Sequence, residues 1–500
     1  MGLTALTAEK TLLLASLGRE TNAGLIEASR LVDARIPAVE VRLDALREAP
    51  EPSSLREAFR GRTLLATLRS RSEGGRFEGT AAEAAAHLRA ALDAGFDLVD
   101  VEYALAGGGL LDLPKDRVVV SAHDVAGVPE DLEVRVERME STGARYVKAV
   151  ATARGLDDAL RLLRLQSSRG EGRLSVFGMG EAGLVTRALS PCLGAALSYG
   201  SALPGEATAP GQLLAADLLD VYAVGRSRRV GALFALLGGR VSHSFSPAIH
   251  NAAFEALGLA ALYVPVALGS LREELPRLRA ALEALGVPLA GASVTIPFKE
   301  EAAALAGCAA GSARNTLLFG GDGAVSGANT DREALLGAIP AAPESGAALV
   351  LGAGGMARAA VEALRERGWG VDVCARTPAR AAALASGCGA RVVANPAASG
   401  LPYGVVVNAT PLGLDEADPL PCDAALLGPG VLALDSPYCP GGTAFSRQAR
   451  RRGALLVDGF ALLLSQAAGQ SALFTGRPAD AASLAARLPA RLRSLFEVNP

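Results

Sequence analysis

The stretch from Ala347 to Arg380 constrains this chain most, because its order of strand, glycine turn, helix and strand has few folded solutions. Ala347-Ala-Leu-Val-Leu351 is an apolar run of buried-strand length. It breaks at Gly352-Ala353-Gly354-Gly355-Met356-Ala357, which fits G-x-G-x-x-A, and a helical pattern follows to Arg367. Trp369-Gly-Val-Asp-Val-Cys-Ala375 then reads as a second strand. In such a unit the first glycine permits the tight turn and the second lets backbone approach a pyrophosphate, whose charge the helix N-terminus favours. An NAD site places an acid some 20 residues past the loop to hold the ribose hydroxyls. Here the second strand runs out into Arg376-Thr377-Pro-Ala-Arg380 instead, and guanidiniums grip a 2′-phosphate bidentately. The expected dinucleotide is NADP(H).

With 500 residues there is room for about three domains of ordinary size. Eight short strand-like runs precede residue 225, at 11–17, 38–43, 63–68, 98–102, 117–121, 145–150, 174–177 and 195–199. Amphipathic helical segments such as 80–94, 132–142 and 156–168 separate them. That alternation predicts a (β/α)8 barrel over residues 1–226. A net charge of −3 without a basic block gives no reason to expect nucleic acid or an anionic membrane. The six cysteines are scattered, with no metal-ligand spacing, and read as reduced thiols in the cytoplasm. No apolar run reaches membrane-spanning length, and Met1-Gly2 is not followed by the hydroxyl residue that myristoylation requires.

Barrel chemistry gathers at the C-terminal ends of the strands. Those ends carry Glu40 and Arg42, Arg69 and Glu73, Glu102, His123-Asp124 and Lys148, with Arg187 and Thr208-Ala-Pro-Gly-Gln212 following the last two strands. Lys148 stands among apolar neighbours in Tyr146-Val-Lys-Ala-Val150. Beside the arginines of the rim its amine is expected to lose basicity and to become a nucleophile able to form a Schiff base with a ketone. His123, one strand earlier, is placed as the general acid/base of the same pocket.

These motifs, from Val39-Glu-Val-Arg-Leu-Asp44 through Leu68-Arg-x-x-x-Glu-Gly-Gly75, Ser121-Ala-His-Asp124 and Val147-Lys148 to Ala207-Thr-Ala-Pro-Gly-Gln212, resemble type I 3-dehydroquinate dehydratase over residues 10–222. The resemblance implies that Lys148 forms an imine with the substrate ketone. His123 would remove the neighbouring proton and help expel hydroxide, oriented by Glu73. Arg187 would clamp the carboxylate, with Glu40, Arg42, Arg69, Thr208 and Gln212 on the ring. Thr208 replaces the usual serine and keeps its hydroxyl.

Tyr222-Ala-Val-Gly-Arg-Ser-Arg-Arg229 reads as a hinge into the second half. Ser246-Pro247 should open a helix, and with Ser244 its hydroxyls and N–H groups make a natural carboxylate seat. Gly291-Ala-Ser-Val-Thr-Ile-Pro-Phe-Lys299 puts Thr295 and Lys299 at a strand-to-helix transition, and Asp331 can hold that ammonium and tune its proton transfer. Ser242-His-Ser-Phe-Ser-Pro-Ala-Ile-His250, Val294-Thr-Ile-Pro-Phe-Lys299, Asn315-Thr316, Asn329-Thr-Asp331, the glycine loop, Ala375-Arg-Thr377, Asn408-Ala-Thr410 and Asp458-Gly459…Gln466 are similar to shikimate dehydrogenase from residue 232 onward. The resemblance implies Lys299 and Asp331 as the catalytic pair, Ser244 and Ser246 on the carboxylate, and Thr295, Asn315 and Gln466 on ring hydroxyls. It adds Asn408, Thr410 and Gly459 to the cofactor set. Ser293, Ala375 and Ala461 depart from the family pattern.

The chain therefore reads as α/β throughout: a TIM barrel, then a shikimate-binding lobe from 230–338 and 456–500, around a Rossmann NADP-binding lobe at 339–455. The expected activity is Schiff-base dehydration of 3-dehydroquinate followed by NADPH-dependent reduction to shikimate, without metal, with small-molecule partners and a homodimer as candidate assembly. Two alternatives are a catabolic quinate dehydrogenase using NAD, and a chain in which one half persists as a docking module.

Overall fold

The computed structural model describes residues 6–169, 172–309, 311–321, 323–415 and 417–495, so Met1-Gly2 lies outside the described residues. The chain divides into two compact units, one of residues 1–247 and 259–289, the other of 248–258 and 290–500.

In the first unit eight parallel strands follow one another around a sheet: Leu12–Leu17, Ala38–Arg42, Thr63–Thr67, Leu98–Glu102, Val118–Asp124, Tyr146–Thr152, Leu174–Met179 and Leu197–Ser201. The last strand pairs with the first, and the remaining gap is bridged where Ala196 N–H donates to Leu174 O at 3.0 Å and Leu197 N–H to Ser175 Oγ at 2.8 Å. This is the near-closed barrel expected from the strand count. Alternation inside each strand turns Leu14, Leu65, Leu98, Val119 and Leu197 into its interior core. Gly200 sits where a Cβ would come within 2.5 Å of Ala215 backbone, so this glycine lets the last strand and the following helix touch. The unit also holds a parallel pair, Ala232–Gly238 with Ala261–Ala267, and the helix Leu271–Ala284.

The second unit contains a six-stranded parallel sheet in the order Arg391–Val392, Gly370–Cys374, Ala347–Leu351, Tyr403–Asn408, Leu432–Asp435, Leu455–Val457. Counted along the chain that is 3-2-1-4-5-6, the doubly wound nucleotide-binding order. Both faces of the central strand are covered: Ala348 and Val350 join one core cluster, Leu349 and Leu351 the other. That explains why the strand is apolar at every position rather than alternating. An antiparallel ladder pairs Gly291–Ser293 of the strand Leu289–Val294 with Thr316–Phe319, which pairs in turn with Val325–Ala328. The helix Gly459–Thr475 packs on Thr330–Ala338, bringing the end of the chain back beside this ladder. Among the described residues no helix is long and apolar enough to cross a membrane.

Candidate active sites

The barrel mouth holds one cavity, and Glu40, Arg42, Arg69, Glu73, His123, Lys148, Arg187, Thr208 and Gln212 all line it. Strand parity explains the convergence. Glu40 and Arg42, Ser121 and His123, and Lys148 and Val150 are i, i+2 pairs on the inward faces of three strands.

Lys148 is buried, with Nζ 3.4 Å from Glu40 Oε1, 3.6 Å from Asp100 Oδ2 and 3.9 Å above the centre of the Tyr199 ring. The nearest charged groups are thus carboxylates, not the arginines anticipated from the strand ends. The arginines are engaged elsewhere: Arg42 grips Asp44 bidentately at 2.8 Å, and Arg69 contacts Glu73, Glu102 and Asp100 at 2.8, 3.0 and 2.9 Å. Glu40 also accepts from Thr67 and Ser16. Burial pushes its carboxyl up, but Lys148 and the nearby arginines outweigh that and hold it at about 2.

His123 Nδ1 lies 3.0 Å from Glu73 Oε2, which also accepts from the His123 backbone N–H. The acceptor assigns the ring proton to Nδ1 and leaves Nε2 as the free base. Burial, reinforced by the charges of Arg69 and Lys148, keeps the imidazole well below its ordinary 6.5. Burial raises Glu73 to about 7 against Arg69, helped by the carboxylates of Glu102 and Asp100. A titration follows. Below about pH 7 Glu73 is neutral and no longer supplies the charge that stabilises the imidazolium formed when Nε2 takes a proton, so kcat/KM of a reaction using Nε2 as base should fall as pH drops through 7. Glu73→Gln presents an amide oxygen in the same place without titrating, and a pH–rate profile should show that acid limb moved to lower pH. An unchanged limb would assign the titration to another group.

Arg187, on the short helix Leu184–Leu189, is buried beneath the cavity with its Nε unpartnered and its guanidinium 5.1 Å from the Phe177 ring centre. No carboxylate offsets it among the described residues, and burial lowers it to about 10. A buried cation without a counter-ion, aimed into a cavity, is suited to an anionic ligand. Thr208 donates to Gln212 Oε1 from both backbone N and Oγ1, at 2.7 and 3.1 Å, closing the loop after the eighth strand. Asp100 carried no role in the sequence reading, yet its Oδ2 is buried without a hydrogen bond and faces the lysine. The signal was present: Asp100 and Glu102 repeat the i, i+2 spacing of Glu40 and Arg42.

In the second unit Lys299 Nζ and Asp331 Oδ2 meet at 2.6 Å, each in the first turn of its helix, Lys299–Leu305 and Thr330–Ala338. Thr295 lies half-buried in the turn leading to Lys299. Asn315 clasps Thr330 in both directions at 2.9 Å and reaches Gln466 Oε1 at 3.4 Å. One turn on, Gln470 accepts from Ser293 Oγ at 2.9 Å. Ser244 and Ser246 fall in the first unit, their hydroxyls 3.1 Å apart where the helix Ser246–Ala256 begins.

The glycine loop has the shape a pyrophosphate needs. Gly352 has φ +114°, and a Cβ there would lie 2.7 Å from Ala409 O. Gly354 faces open space, and the helix Gly355–Glu366 starts without a side-chain cap, leaving its first N–H groups for an anion. Ala353, Met356 and Ala357 pack into the core behind the loop. Arg376 and Arg380 are exposed and form no ion pair among the described residues, and Thr377 caps no helix N–H. Asp372, the acid of this strand, is held by Arg391 at 2.8 Å and Tyr403 at 2.6 Å and is not available to ribose. Asn408 is fully buried and spends its amide on Asp435, Leu412 and Thr410. It shapes the loop under Gly352. At Gly459 a Cβ would fall 2.0 Å from Pro437 O, so only glycine fits. Among the described residues no group of His, Cys, Asp or Glu could hold a metal ion.

Comparison with known proteins agrees with both halves. The type I 3-dehydroquinase family matches residues 15–228, and the shikimate dehydrogenase substrate-binding domain matches 236–316. The bifunctional 3-dehydroquinate dehydratase/shikimate dehydrogenase of Arabidopsis thaliana, described as chloroplastic, is 32% identical over 91% of this chain and 80% of its own. A shikimate dehydrogenase (NADP(+)) of Rubrobacter xylanophilus is 41% identical over 51% of this chain and 94% of its own. The solved dehydroquinate dehydratase and shikimate dehydrogenase from S. pombe is 24% identical and superposes with a TM-score of 0.41, over 96% of this chain and 98% of that one.

Proposed function

The chain belongs to the family of bifunctional 3-dehydroquinate dehydratases/shikimate dehydrogenases, and from that premise we propose how its residues divide the work. It is a lyase and an oxidoreductase of the shikimate pathway, dehydrating 3-dehydroquinate and reducing the resulting 3-dehydroshikimate.

In the barrel, Lys148, held beside Glu40, Asp100 and the Tyr199 ring, adds as its free amine to the ketone carbon. Loss of water gives the iminium, which draws electrons from the adjacent carbon far better than the ketone does. His123 Nε2 removes the proton there, leaving an enamine. The enamine expels hydroxide, which takes the proton back from His123, and water then releases the unsaturated ketone from Lys148. Arg187 holds the carboxylate throughout. The observation that carries this reading is the buried, uncompensated Arg187 sharing one cavity with the Lys148 amine and the Glu73-oriented His123.

In the dehydrogenase half, the loop Gly352–Ala357 would receive the pyrophosphate, and Arg376, Thr377 and Arg380 the 2′-phosphate. The bound NADPH supplies a hydride. Lys299 delivers the proton to the carbonyl oxygen, and Asp331 keeps the ammonium aimed. Ser244 and Ser246 seat the carboxylate, while Thr295, Asn315 and Gln466 take ring hydroxyls. Asn408 and Gly459 act by shaping the walls. The six free cysteines support a reducing compartment, which we take to be the cytoplasm.

Mixing the purified chain with 3-dehydroquinate and NADPH should give steady loss of NADPH absorbance, because only the dehydrated product accepts hydride. NADH should serve poorly. Arg376→Ala should cut the preference for NADPH about 10- to 100-fold, the worth of a charge-assisted phosphate contact. An unaltered preference would remove Arg376 from the cofactor site, and a wild-type enzyme that oxidises quinate with NAD instead would favour the quinate dehydrogenase reading.

A further inference from the structure

Glu181 follows the seventh barrel strand, Leu174–Met179, and lines no part of the dehydratase cavity. Its neighbours serve that cavity. Gly180 N–H donates to Pro210 O at 3.2 Å in the loop of Thr208 and Gln212, and the helix bearing Arg187 begins at Leu184. The carboxylate turns the other way. Glu181 Oε1 accepts from the backbone N–H of Ser242 at 2.9 Å and from that of Val241. Those two residues open a turn closed by Ser244 N–H donating to Val241 O at 3.3 Å. Ser244 Oγ then accepts from Ser246 N–H at 3.2 Å.

We propose that Glu181, a residue of the barrel rim, is a positioning residue for the dehydrogenase, fixing the turn that presents Ser244 and Ser246 to the shikimate carboxylate. The proposal rests on the reading of those serines as the carboxylate seat. A charged acceptor holding two successive N–H groups is among the stronger ties available to a short loop. Val241 is buried, so its N–H has no easy recourse to water when the acceptor is removed. Without Glu181 the turn must be ordered when substrate binds, and that ordering cost appears in binding rather than in the hydride step. The two activities would then share more than a chain: the dehydrogenase borrows a structural element from the dehydratase.

Steady-state kinetics with shikimate and NADP+ test this. Glu181→Ala should raise KM for shikimate roughly tenfold with kcat unchanged, and Glu181→Gln, which keeps an acceptor oxygen, should restore KM. Dehydratase constants should stay at the wild-type level in both variants. With the methyl ester of shikimate, which lacks the anion, Glu181→Ala and wild type should differ little. If Ser246→Ala raises KM while Glu181→Ala does not, the proposal is wrong and the serine seat stands. If Ser246→Ala itself leaves KM unmoved, the seat is misplaced and the proposal falls with it. A Glu181→Ala enzyme that loses both activities together, or loses kcat, has a general folding defect, and that too overturns the proposal.

Discussion

Lys148→Ala should abolish dehydration of 3-dehydroquinate, with kcat down by at least about 10^4-fold, the scale of losing a covalent nucleophile. NADPH-dependent reduction of added 3-dehydroshikimate should continue. The chain has lysines only at positions 10, 115, 148 and 299, and of these only Lys148 lines the barrel cavity. The remaining cations there, Arg42, Arg69 and Arg187, carry guanidiniums that stay protonated and cannot form an imine. No neighbour can therefore take over the step. Borohydride added during turnover should reduce the imine and fix a substrate-derived mass on the peptide containing Lys148, and no such mass should appear on Lys148→Ala. The substitution also leaves Glu40 and Asp100 buried without their ammonium, so a lower Tm is expected alongside the lost activity. Lys148→Met fills the space without the amine and separates the two effects: it should be equally inactive and more stable than the alanine variant. Dehydratase activity surviving in either variant would sink the Schiff-base assignment.

The strand pattern was legible because a barrel imposes it: short apolar runs, each closed by a polar rim. Where expectation and structure part, a local reason is visible. The fifth strand was expected over 117–121, with His123 and Asp124 at its rim, yet it runs to Asp124 because His123 and Asp124 pair with Val150 and Ala151 of the next strand. The eighth was expected two residues early. Ala195 is tied back to Ser190, and the strand extends instead through Gly200, a residue that composition marks as a breaker but that close contact with Ala215 requires.

The barrel site was legible for a related reason. Inward-facing positions at strand ends are fixed by parity, so residues far apart in sequence could be assigned to one cavity without any distance in hand. The sign of the field around Lys148 was not legible. Arg42 and Arg69 look like its neighbours in a list of strand ends, but each is drawn onto its own carboxylates, and Asp100 occupies the space they were expected to fill. Pairing among side chains is decided in three dimensions, and a one-dimensional reading sees only which charges are present.

Lys299→Ala should lower kcat of shikimate oxidation and of its reverse by about 10^3-fold, within the usual worth of a positioned general acid, and leave the dehydratase untouched. The pair is tight and mostly shielded, with Nζ to Oδ2 at 2.6 Å and side chains 15% and 9% exposed. Such a contact can serve structure alone. The two roles predict different kinetics. A proton donor acts only as charge develops on the carbonyl oxygen, so its loss should reduce kcat and kcat/KM together. A purely structural pair would reduce the amount of active enzyme and the Tm without that signature. Asp331→Asn is the discriminating partner, because asparagine keeps shape and an acceptor oxygen while removing the charge that fixes the ammonium. If Lys299 is the proton donor, Asp331→Asn should lower kcat less than Lys299→Ala does, because the ammonium remains and only its aim is loosened. A Lys299→Ala enzyme with near-normal kcat would reassign the proton to water or to another residue, and Lys299 would then be only a support for Asp331.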